Sequence, residues 1–364
     1  MKSIIKDKLK DLKEDNSSGA RELIDKSIKI IKDYLDTISN DKKEINKEFM
    51  DFAEGIIYAR PSMAPLINTI GYLIGEMKNI NKKDLLDRLE ELSKYRENQM
   101  KSLKAHFNTL FNKLYKPHLK IMLISHSSTI NTLFSPYKDR DLNFYVLESR
   151  PLLEGRKTAE FFSQDFETHL IVDAAIGKFI KKIDAVFVGI DSILINGAII
   201  NKIGTYPLAV LSKISDKRFY AVGDSFKYNL RSHFGQKIRI EKKPIKEVYD
   251  KKFNENLNIN NYYFDITPSK YINKIISDLG VLKLLQFIDK IRRENPSVKV
   301  MNANADKGYL SKEHCEGLKN RKIRNSIILR KSSSRKVPKS HRNRRKCIEE
   351  LFIILILFLG NQET

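Results

Sequence analysis

Apolar positions in the first 115 residues recur at three- and four-residue spacing. Leu23, Ile24, Ile28, Ile31, Leu35 and Ile38 form one such stripe, interleaved with Lys, Asp and Glu. That spacing puts the apolar side chains on one face and predicts amphipathic helices. Residues 84–101 and 102–114 repeat the character, so 1–115 reads as a helical domain. Near Pro117 the pattern changes. Short continuous apolar runs at 121–124, 144–147, 170–172, 185–188 and 219–222 alternate with helical segments that include 155–162 and 205–213. Strands apolar on both faces, alternating with helices, predict a parallel sheet covered on both sides. This α/β domain is expected to span 116–282. In the remaining 283–364, the basic, serine-rich run 331–346 lacks apolar periodicity and is expected to be poorly ordered.

Charge sharpens that division. The chain carries 67 Lys/Arg and 45 Asp/Glu, a net charge of +22. Residues 283–364 hold 20 of the basic and 8 of the acidic residues, a net of +12. More than half the excess therefore sits in the tail, and it does not mark the whole protein as a nucleic-acid binder. The two cysteines, Cys315 and Cys347, form no disulfide framework and no zinc-ligand spacing. No metal site and no cofactor are expected. The N-terminus lacks the apolar core of a signal peptide, and the longest apolar run, 351–359, is too short to span a bilayer. A cytoplasmic protein without membrane contact is expected.

In open α/β sheets, ligands bind beyond the carboxyl ends of the strands. Polar residues gather at those positions here. The first strand is followed by Ser125, His126, Ser127, Ser128 and Thr129, and the second by Glu148, Ser149, Arg150 and then Glu154. The run 185–188 leads into Gly189 and Asp191, with Asn201, Lys202, Gly204 and Thr205 further on. Lys227 follows the last run. The helical part adds Gly19, able to open a helix toward an anion, with Arg21 and Arg60. Five cations (Arg21, Arg60, Arg150, Lys202, Lys227) around the carboxylate of Asp191 suit a phosphorylated ligand. Each also has a plainer reading: single Arg and Lys residues are commonly solvated, Asp191 could cap a helix, and His126 could be structural.

The runs 189–213, 148–151 with 155–157, 173–175, 225–227 and 265–268 fall in the order and spacing of a known family. Over residues 15–282 the chain resembles the alpha/beta/delta subunits of initiation factor 2B. It also resembles their relatives, ribose-1,5-bisphosphate isomerase and methylthioribose-1-phosphate isomerase. The resemblance implies a helical domain followed by a Rossmann-like domain. It implies phosphate contacts at Arg60, Arg150, Asn201, Lys202 and Lys227, and a catalytic pair made of a cysteine and the aspartate at Asp191. Ser127 stands where that cysteine is expected, and a serine hydroxyl is a far weaker acid than a thiol, whose pKa is about 8.5. The expectation is therefore an archaeal-type regulatory subunit of translation initiation. It would engage initiation factor 2, form a homodimer or larger oligomer, and keep a pocket for a phosphorylated sugar or nucleotide. An aldose–ketose isomerase of sugar phosphates is the alternative. The tail, through 306–311 and 345–352, resembles part of a DDE-type insertion-sequence transposase. Asp306 and Glu349 would stand for two of its metal-holding carboxylates. The segment for the first carboxylate is missing, so an inactive remnant without functional nucleic-acid binding is expected.

Overall fold

The computed structural model describes residues 3–15, 18–38, 45–60, 62–75, 80–233 and 240–283, with positions 238, 286, 290, 302–306 and 324–328. Five helices open the chain: α1 Ser3–Glu14, α2 Ala20–Asp36, α3 Asn46–Ala59, α4 Ala64–Ile74 and α5 Lys82–Leu114. The stripe read from the sequence is the buried face of α2, where Leu23, Ile24, Ile28, Ile31 and Leu35 all point inward. The segments 84–101 and 102–114 are one continuous helix of 33 residues, opened by Asn81, whose side chain accepts the Asp84 N–H. No Gly or Pro interrupts it, so nothing stops propagation. Among the described residues, no helix is long and apolar enough to cross a membrane.

The α/β part begins with β1 Leu119–Ile124, α6 Ser128–Phe134, β2 Leu142–Leu147, α7 Gly155–Phe162 and β3 Glu167–Ile171. Then come α8 Ile176–Phe179, β4 Ala185–Gly189, β5 Ser192–Ile193, β6 Ile199–Lys202, α9 Thr205–Ile214 and β7 Arg218–Val222. The last strands are β8 Phe264–Thr267, β9 Lys274–Ser277 and β10 Gly280–Leu282. Seven strands form one sheet in the order β10-β9-β7-β4-β1-β2-β3. All its pairs are parallel except the edge pair β10–β9. A second, antiparallel sheet has the order β5-β6-β8.

Period-two alternation splits the central strands between two cores. Met122, Ile124, Val186 and Val188 face the helices α1–α4 and the first half of α5. Ile121, Leu123, Phe144 and Phe187 face the second half of α5, with Phe107 and Phe111, and the helices α6 and α7. There Phe134 meets Phe107, Phe144 and Phe187 edge-on at 5.0, 5.3 and 5.4 Å, the favoured arrangement for aromatic rings. The expected divide near residue 115 falls at the end of α5, and packing continues across it.

The sheet order sets where a ligand can bind. From β1 the chain moves outward to β2 and β3, then returns and builds β4, β7 and β9 on the other side. The connections leaving β1 and β4 therefore diverge and open a crevice beyond their carboxyl ends. In the tail, β11 Asn302–Asp306 and β12 Arg324–Ile328 pair in parallel. The run 331–346, the transposase-like runs 307–311 and 345–352, Glu349 and both cysteines lie outside the described residues.

Candidate functional site

The crevice between the ends of β1 and β4 is a polar cavity. Ser125, His126, Ser127 and Ser128 line it from the β1–α6 turn, and Gly189, Ile190 and Asp191 from the end of β4. Asn201 and Lys202 enter from β6, and Lys227 from the turn after β7. The N-terminus of α2 closes it with Gly19, Ala20 and Arg21. It holds about 90 Å³, room for several waters, and polar walls of that size mark a wet site rather than a packing fault.

Hydrogen bonds tie the loops after three strands together. Asp173 accepts the N–H groups of Ser149 at 2.8 Å and Arg150 at 2.7 Å. Ser149 Oγ accepts the Ser125 N–H at 2.8 Å, and Ser125 Oγ donates to Glu154 Oε1 at 2.9 Å. Glu154 Oε1 in turn lies 2.7 Å from Lys202 Nζ. Ser125, Ser149 and Leu153 have φ of 70°, 68° and 60°. Backbone strain of this kind costs about 1–3 kcal/mol per residue and tends to collect at functional sites.

The Glu154–Lys202 pair is largely buried, with side-chain exposures of 17% and 4%. Among the described residues, Glu154 Oε2 has no hydrogen-bond partner, and Lys202 Nζ has none beyond that ion contact. An ammonium has three N–H donors, so Lys202 keeps donors for an anion in the cavity. The small sheet sets its position: β6 pairs with β8 so that Asn201 lies opposite Asp265 and Lys202 opposite Phe264. Asp265 Oδ2 accepts the N–H groups of Gly204 at 2.9 Å and Tyr206 at 3.0 Å, which anchors the start of α9. Gly204 has φ of 100°, a conformation that favours glycine. Burial pushes the Asp265 carboxyl up to about 6, against those two N–H donors.

Asp191 is, with Glu154, a carboxylate of the cavity wall. Burial pushes Asp191 up to about 6. Lys227 and Lys202 pull it down, and Glu154 pushes it further up. A carboxyl with that value both gives and takes protons near neutral pH. Gly189 lets two neighbours come close to it: a Cβ there would lie 3.3 Å from Ser127 Oγ and 3.6 Å from Asn201 Oδ1. Asn201 is turned by Thr205, to which its Nδ2 donates at 3.1 Å.

Ser127 lines the cavity and also caps α6, its Oγ accepting the Ile130 N–H at 3.3 Å. Ser127→Ala is expected to lower stability by about 1 kcal/mol, the usual cost of a lost cap, measurable by urea denaturation.

Two of the cations expected at the site do not line the cavity. Arg60 is buried behind it, donating to the Asp15 carbonyl near Glu241 and Tyr263, and burial lowers its pKa. It holds the segment that leads into α2. Arg150 is exposed, its Nη2 3.4 Å from the Glu247 carbonyl. The cavity unites Gly19, Arg21, Ser127, Asp191, Asn201, Lys202 and Lys227. Glu154 and Ser125 also line the cavity, and Thr158 stands behind His126; their roles are not legible in the sequence. Asp265 was quoted only as part of a motif.

The family model described as "Initiation factor 2 subunit family" matches residues 16–284. The match ends there, and nothing in it supports the transposase-like reading of the tail. Ribose 1,5-bisphosphate isomerase of Methanocaldococcus jannaschii is 28% identical over 284 residues, covering 77% of this chain and 91% of that protein. Translation initiation factor eIF2B subunit alpha of Dictyostelium discoideum is 31% identical over 214 residues, covering 55% and 65%. The crystal structure of the Pyrococcus horikoshii OT3 translation initiation factor eIF-2B superposes with a TM-score of 0.66 at 23% identity. It covers 78% of this chain and 98% of that one and shares the fold. With most of the chain inside the match and the cavity built wholly from its residues, the protein belongs to the initiation factor 2 subunit family.

Proposed function

We propose that the protein is an aldose–ketose isomerase of a phosphorylated sugar, with ribose 1,5-bisphosphate, the substrate named for its relative in M. jannaschii, as the first candidate. The observation that carries this is Asp191, a carboxyl pushed up to about 6 in a polar cleft that Lys202 and Lys227 make attractive to phosphate. The expectation of a purely regulatory subunit rested on Ser127 in place of a thiol. Against it stand the isomerase relatives, one of which covers 77% of this chain.

The chain's groups divide the work. Lys202, Lys227, Arg21 and the first N–H groups of α2 hold phosphate. Asn201, turned by Thr205, and the Ser127 hydroxyl are placed to bind sugar hydroxyls. Asp191 moves a proton. A thermal-shift series with sugar mono- and bisphosphates tests the binding half. A ligand at a hundred times its Kd is expected to add about 2.7 kcal/mol of stability. Equal, negligible shifts across the series would contradict a phosphate-binding cavity.

A further inference from the structure

His126, in the turn between β1 and α6, places Nδ1 3.0 Å from Thr158 Oγ1. The Thr158 hydroxyl has a single proton, and it is donated to the Ser125 carbonyl at 3.0 Å. Toward His126 that oxygen is therefore an acceptor, so Nδ1 carries the ring hydrogen. A neutral imidazole protonated at Nδ1 keeps its lone pair on Nε2. Thr158 is 2% exposed on α7, so the tautomer is held by a packed element.

The surroundings keep the ring neutral. Burial holds its pKa below the usual imidazole value. Glu22 on α2 and Glu154 at the start of α7 oppose that shift, while Lys157 on α7 adds to it. His126 and Asp191 line the same cavity. The wall thus holds a neutral base and a carboxyl of raised pKa, the pairing that separates base and acid roles in one site.

We propose that His126 Nε2 is the second proton carrier of the site, acting with Asp191 on the bound sugar. This rests on the isomerase reading. On a furanose 1-phosphate, protonated Asp191 gives its proton to the ring oxygen as the C1–O bond of the ring breaks. Nε2 takes the C2 proton, and that C–H electron pair becomes the C1=C2 bond. The imidazolium then returns the proton to C1, while the Asp191 carboxylate takes the C2 hydroxyl proton as the ketone forms. Both groups end as they began, and no oxidant, reductant or water is consumed.

His126→Asn tests this, because an amide nitrogen can keep the bond to Thr158 while Nε2 is lost. With ribose 1,5-bisphosphate, kcat is expected to fall at least about 10²-fold, the lower end for a removed acid–base group, with KM little changed. The limb of the pH profile that falls toward acid is expected to disappear. Thr158→Val, which leaves the tautomer free, is expected to shift that limb without removing it. The Thr158 variant decides the matter if the Asn variant does not melt as a folded protein. An unchanged kcat and pH profile in both variants would overturn the role of His126 alone. A wild-type chain that is stabilised by the sugar bisphosphate but never converts it would overturn the isomerase reading, and this one with it.

Discussion

Asp191→Asn is expected to lose turnover and gain stability. The amide keeps the shape of the carboxyl but cannot carry a proton, so kcat should fall by roughly 10²–10⁴-fold. Binding of phosphate should survive, because Lys202, Lys227 and the α2 N-terminus remain. The stability gain follows from the raised pKa. In the unfolded chain an aspartate titrates at about 3.9, whereas Asp191 in the fold titrates at about 6. Below about pH 4 the carboxyl is protonated in both states and has no effect on the folding equilibrium. Above about pH 6 the folded state carries a charge it disfavours, so the wild type is penalised there. The Asn variant should therefore melt higher than wild type at pH 7 and 8, with the difference closing as pH falls from 6 to 4. Asp265, also pushed up to about 6, adds a second penalty with the same pH dependence, which the Asp191 variant leaves in place. Thermal melting at a series of pH values, beside kcat for the same samples, checks both halves. A variant that is inactive because it is unstable would show the opposite sign.

Lys202→Met is expected to lower stability by about 3 kcal/mol, the scale for removing one partner of a buried ion pair. The methionine fills the space of the lysine stem, so packing changes little. The cost comes from Glu154, left without its cation and with Oε2 already lacking a hydrogen-bond partner among the described residues. The double variant Glu154→Gln with Lys202→Met should recover a large part of the loss, because it removes the stranded charge. Neither variant should bind a sugar bisphosphate as the wild type does, since Lys202 is a cavity cation. Urea denaturation of the two single variants and the double variant measures the coupling. Additive losses would show that the ion pair is not a unit.

Much of the fold was legible because its signals are local. The runs 121–124, 144–147, 185–188 and 219–222 lie in parallel strands buried on both faces, and such strands read as continuous apolar stretches. The stripe of α2 and the bounds of α7 followed in the same way. The small sheet was not legible, since β5, β6 and β8 have only 2, 4 and 4 residues. A period-two pattern cannot show itself over such lengths. Yet this sheet fixes the register of Asn201 and Lys202. Asp191 was found because an acidic residue at the end of an apolar strand is unusual. Glu154 was legible as a polar residue after the second strand, but its pairing was not, since only the fold brings Lys202 against it. Arg60 and Arg150 have the right chemistry for phosphate, but whether an arginine faces a cavity or supports a loop behind it is decided by tertiary packing. His126 was visible, and its tautomer was not, since that depends on Thr158 and the Ser125 carbonyl.

The isomerase reading requires this cavity to perform proton transfer on a bound sugar phosphate. Incubating the purified protein with ribose 1,5-bisphosphate and following the sugar by NMR, with the Asp191→Asn variant alongside, tests this. The expected result is conversion of the sugar to its 2-ketose isomer by the wild type, with the variant binding the sugar and leaving it unchanged. Binding without conversion by the wild type, or conversion at the same rate by both proteins, would contradict it.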